Sequence, residues 1–158
     1  MTDRPPLPPE VLERLRTIGL RIDAAGRLWH QGDEVVHAGL RRAILRWLDV
    51  RADGRVIVRL DDERYAYVDV DDTPLRITAV RWDGDQPVAF VDDDTHAPLD
   101  LATLALDGDD RLRARVRDGR LAARLTSAAQ QVLCERAAEQ DGAYGVLAAG
   151  RFWPLAPA

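Results

Sequence analysis

Arg111-Leu112-Arg113-Ala114-Arg115-Val116-Arg117-Asp118-Gly119 alternates guanidinium and apolar side chains and then turns. A strand has a period of two, so the four arginines share one face and Leu112, Ala114 and Val116 share the other. Downstream, Leu121, Leu125, Ala128 and Val132 recur at three- and four-residue spacing. That period predicts a long helix reaching about Gln140 and closed by Gly142. A strand followed at once by a helix, without a regular βαβ rhythm, places the chain in the α+β class.

The same reading extends upstream. Val56 and Val58, Tyr65 and Tyr67, and Leu75, Ile77 and Ala79 alternate as strands do. Asp83-Gly84-Asp85 and Asp107-Gly108-Asp109 have turn chemistry, with glycine free to take positive φ and aspartate capping its own backbone. Short strands are expected near Leu20–Ile22 and Arg27–His30. Leu40, Ala43, Ile44, Trp47 and Leu48 form an apolar helical stripe with Arg41, Arg42 and Arg46 opposite, expected to pack on a sheet. His37 precedes or caps that helix. Arg4 to Pro9 reads as a polyproline-like arm, with Pro9 opening a first helix that ends near Gly19. A last hairpin pairs Tyr144–Leu147 with Phe152–Leu155. The expected division is an arm and helix over 1–19, an α+β half over 20–79 and a second half over 80–158. The antiparallel sheet of each half is packed by an amphipathic helix.

Composition removes whole classes of chemistry. All 22 basic residues are arginine, and the chain has neither lysine nor asparagine. Without lysine there is no Schiff base and no phosphate-loop lysine. The sole serine, Ser127, falls in the predicted helix without a nucleophile-elbow pattern, and a single cysteine, Cys134, excludes an internal disulfide. A net charge of −5 argues against general nucleic-acid binding. Met1 to Glu10 holds four prolines and no apolar stretch suited to a secretion signal, and no apolar run approaches bilayer thickness. A cytoplasmic protein with no membrane partner is therefore expected, with no catalytic residue, cofactor or metal assigned.

Two strings carry charge enough for function. Asp92-Asp93-Asp94-Thr95-His96 could hold a divalent metal for a hydrolase, or form a solvated acidic turn. Six arginines between Arg111 and Arg124 follow a stretch, 83–110, with nine acids and no arginine. This basic face suits an anion, the chain's own acidic loops, or a protein partner.

Fragments in order across the chain resemble the bacterial family known as domain of unknown function twelve-eighty-five. They include Gly26-Arg27-Leu28-Trp29-His30-Gln31-Gly32, Leu40-Arg41-Arg42, Val68 to Leu75, His96-Ala97-Pro98-Leu99, Val116-Arg117-Asp118-Gly119 and Gly145 to Leu155. The resemblance implies an internally duplicated α+β fold, a C-terminal half like a pleckstrin-homology domain, and a signalling role. It also implies a nucleotide-like or other anionic ligand held between the halves. Within those fragments His30, Arg42, His96, Arg117 and Phe152 form the expected ligand set: two cations, two imidazoles and an aromatic face.

Overall fold

The computed structural model describes residues 7–157 and divides them into two units, with the boundary between Asp72 and Thr73. Residues 4–6, the first half of the expected polyproline arm, lie outside the described residues. The division falls at Asp72 rather than after Ala79, because Leu75 to Asp83 is one continuous strand.

In the first unit, helix α1 (Pro9–Arg16) starts on a proline, whose fixed φ suits the first helical turn. Strands β1 (Leu20–Ile22), β2 (Leu28–His30) and β3 (Asp33–Glu34) follow as a meander. Asp23 fixes the first turn, its carboxylate accepting from the Arg27 backbone at 2.8 Å and from Trp29 Nε1 at 2.9 Å. Helix α2 (Ala38–Arg46) is capped by His37, whose Nδ1 accepts from the Leu40 backbone at 3.0 Å. Strands β4 (Leu48–Val50), β5 (Val56–Arg59) and β6 (Tyr65–Val70) complete a six-stranded sheet ordered β3-β2-β1-β6-β5-β4. Its central pair, β1 and β6, is parallel.

The stripe expected to bury α2 does not do so. Leu40 is 50% and Trp47 46% exposed, and within the helix only Leu45 is buried. The helix ends at Arg46, and Leu48 is buried as the first residue of β4. Helix and strand advance by different angles per residue, so a stripe drawn across that border has no common face.

The second unit opens with β7 (Leu75–Asp83), β8 (Gln86–Val91) and β9 (His96–Pro98), another meander. A 3₁₀ turn (Leu101–Thr103) leads to β10 (Ala105–Leu106), β11 (Leu112–Val116) and β12 (Leu121–Leu125). Helix α3 (Ser127–Cys134) then packs on β7 and β12, burying Ala129 and Leu133. Strands β13 (Ala137–Gln140), β14 (Ala143–Ala148) and β15 (Arg151–Pro154) form a separate sheet, and β16 (Ala156–Pro157) adds to β10. The larger sheet is ordered β16-β10-β11-β12-β7-β8-β9, with β12 and β7 parallel.

Without β16, that order repeats the first unit strand for strand: the first and last strands of the six lie parallel at the centre, and each meander extends outward. The expected duplication is therefore present in the topology. Each sheet is mixed rather than purely antiparallel, since its parallel pair joins strands far apart in sequence.

The long helix expected over 121–140 is corrected. Leu121, Ala123 and Leu125 alternate with half-buried neighbours as β12, and Leu121 pairs with Val116 across the turn at 117–120. Asp141 and Gly142 both have positive φ, 51° and 79°, and join β13 to β14 in a two-residue hairpin. Asp-Gly is a strong hairpin signal, and glycine here makes the turn rather than ending a helix.

Candidate functional site

The expected arginine face forms over Arg113 and Arg115 of β11, with Leu112 and Ala114 buried behind it, while Arg111 and Arg117 flank the strand. Three of these four guanidiniums meet carboxylates of the same unit. Asp107 starts the turn into β11 and accepts from the backbones of Asp109 and Arg111, which draws its side chain back over the strand. There Arg113 Nε reaches it at 3.1 Å and Nη2 at 3.0 Å. Arg111 reaches Asp109 at 3.0 Å. Burial pushes the Asp107 carboxyl up, but these backbone and arginine contacts outweigh it and hold the group below its usual range.

Arg117 leaves the strand with a φ of 52° and donates from Nη2 to Asp93 at 2.6 Å. Asp93 has no exposed surface. Thr95 also serves it, from its backbone at 3.0 Å and from its hydroxyl. Burial would raise the Asp93 carboxyl; the bonds from Arg117 and Thr95 reverse the shift, leaving it below the ordinary carboxylate range.

Arg115 differs. It is exposed, its backbone N–H donates to Thr103 Oγ1 at 2.8 Å, and its guanidinium has no hydrogen bond or ion pair among the described residues. It lines a concavity of about 400 Å³ within the second unit. Ala89, Val91 and Leu99 supply buried apolar wall, while exposed His96, Asp100 and Asp118 stand at the rim with Arg115. The Asp93–Arg117 pair closes one side. His96 is held at the edge strand by stacking on Phe90, with centroids 5.2 Å apart.

The structure thus brings His96 and Arg117 to one concavity, with Arg117 already committed to a buried carboxylate. His30 on β2 and Arg42 on α2 are exposed residues of the first unit. Phe152 on β15 lies across Gly145 of the neighbouring strand, where a Cβ would come within 2.6 Å of its ring, so its aromatic face covers a glycine. Arg115 belongs to the basic face read from the sequence but was not in the expected ligand set, although the Asp107 turn signalled its difference: that turn reaches Arg111 and Arg113 but not two residues further along.

The metal reading of Asp92–His96 has no geometric support. Asp92 accepts from the Arg76 backbone, Asp93 faces Arg117, and Asp94 sits at positive φ in the β8–β9 turn. Among the described residues no group of three or more acidic, histidine or cysteine side chains could hold a metal ion. No helix of the described residues is long and apolar enough to cross a membrane.

No family model matches the sequence, nor does any curated protein. Solved structures do. A DUF1285 family protein from Silicibacter pomeroyi superposes with a TM-score of 0.74 at 21% identity, over 89% of this chain and 81% of its own. The fold is that of the DUF1285 proteins. A second DUF1285 protein, from Shewanella baltica, aligns with a TM-score of 0.63 at 18% identity, over 76% of this chain and 93% of its own. The resemblance of the sequence fragments to DUF1285 holds at the level of the fold, which is α+β with duplicated strand order.

Proposed function

We propose that this chain is a cytoplasmic, non-enzymatic binding module that takes a small anionic molecule in the concavity of its second unit and serves a regulatory role. One observation carries the reading: of Arg111, Arg113, Arg115 and Arg117, Arg115 alone lacks a carboxylate partner among the described residues, and it lines an apolar-walled hollow. Such hollows, apolar with a few directed polar groups, are the usual form of ligand sites. The absence of lysine and the separate engagement of Asp92 and Asp93 support binding over catalysis.

Thermal-shift titration with simple anions and phosphorylated metabolites tests this directly, because a ligand of the folded state raises the melting temperature with concentration. The expected result is a saturable shift that Arg115→Ala removes and Arg113→Ala retains. Equal loss in both variants would reduce the effect to a diffuse positive field and end the site assignment.

A further inference from the structure

We infer that the ligand is an amphiphilic monocarboxylate, a single carboxylate on an apolar body, rather than a nucleotide; this rests on the binding site proposed above. The charges lining the concavity decide it. They are Arg115 and Arg117 against Asp93, Asp100 and Asp118, two guanidiniums against three carboxylates. Arg117 is already matched with Asp93 at 2.6 Å. One guanidinium is left to receive an anion, in a field that the two rim aspartates make unfavourable for a second negative charge. A phosphate chain would bring two or more charges past Asp100 and Asp118 to a single arginine.

The carboxylate is the planar, singly charged group that a guanidinium grips in a fork. The apolar part of the lining is Ala89, Val91, Leu99 and Val116, with no side-chain hydroxyl or amide among them. A sugar or a base edge would leave its polar groups unpaired there, whereas an alkyl or aryl body would not. Thr95, the one hydroxyl in the lining, already donates to Asp93.

The test uses the whole chain and a defined set of probes at constant ionic strength: acetate, butyrate, hexanoate, octanoate, octylamine and guanosine monophosphate. Calorimetric titration should show one octanoate per chain, with affinity rising about fourfold per added methylene along the acid series. Octylamine and the nucleotide should give no saturable signal. Arg115 is exposed and its guanidinium makes no hydrogen bond or ion pair among the described residues, so Arg115→Glu should fold with an unchanged melting temperature. That variant should lose octanoate by at least roughly tenfold, the scale of a charged hydrogen bond, and gain octylamine instead. Nucleotide binding that Arg115→Glu abolishes, with octanoate silent, would overturn the monocarboxylate and keep the anion site. A flat acid series would remove the apolar body from the inference. Octanoate binding indifferent to Arg115→Glu, or no binding of any probe, would overturn the site itself.

Discussion

Arg115 and Arg117 are two residues apart, yet one opens onto solvent while the other is held by a carboxylate with no exposed surface. Removing the Arg117 side chain takes away the guanidinium that serves the buried Asp93, while the Thr95 bonds remain. The expected cost of Arg117→Ala is about 1–3 kcal/mol of folding stability, the penalty for an underserved buried group. The sign with pH is fixed by the depressed Asp93 carboxyl. Such a group contributes stability above the unfolded carboxylate range and loses it as pH falls through its folded value. Denaturant curves should therefore show wild type and Arg117→Ala well separated at pH 7 and converging below about pH 4. A constant gap at pH 3 would mean the pair contributes packing and not charge. At Cys134 the expectation is opposite in kind: burial of the thiol raises its pKa, so it is a weak nucleophile. Cys134→Ser should leave ligand binding intact by calorimetry, and loss of binding in a folded variant would contradict that assignment.

Among the elements, α2 and α3 show how a helix earns its place by few residues. In α2 only Leu45 is buried, at 1% exposure, whereas Trp47 caps the end with nearly half its surface in solvent. Leu45→Ala should cost about 2–5 kcal/mol in chemical denaturation, and Trp47→Ala under about 1 kcal/mol. A larger loss at Trp47 than at Leu45 would contradict this packing. Strands β1, β2, β5, β6, β11 and the start of β7, the turns at Asp83 and Asp107, the His37 cap and the last hairpin were legible in the sequence, because each follows from local periodicity or local hydrogen bonding. The region 121–142 was not. Leu121 and Leu125 satisfy a helical spacing and an alternating one equally, and intervening alanines favour the helix by propensity alone. What settles it is the positive-φ turn over Arg117, Asp118 and Gly119, which folds β12 back onto β11. At the site, the basic face was legible but its partners were not. Which arginine keeps an open guanidinium depends on Asp107 and Asp93, and Asp93 approaches Arg117 from 24 positions earlier in the chain.

Across the whole molecule, the groups that change charge lie mostly at the acid end: 27 carboxylates titrate there, while the 22 arginines stay charged. Depressed carboxyls occur in both units: Asp23, Asp61 and Asp71 in the first, Asp93 and Asp107 in the second. By the linkage already applied to Asp93, each supports the fold above the unfolded carboxylate range, about pH 4, and withdraws that support as pH falls through its folded value. The surface pairs contribute modestly, since water screens them, so their common direction matters more than any single one. Protonation also removes the 27 acids that balance the arginines, leaving all 22 guanidiniums charged and mutually repelling. The alkaline side has no counterpart. With no lysine to lose its charge near pH 10, every guanidinium pair survives past that point, and Tyr67, raised by burial and its bond to Glu13, titrates later than an ordinary tyrosine. The melting temperature followed by circular dichroism should thus stay level from pH 7 to about 10 and fall steeply below about pH 4. A decline beginning between pH 8 and 9, or a melting temperature at pH 3 equal to that at pH 7, would show that the arginine–carboxylate pairs do not govern the stability of this fold.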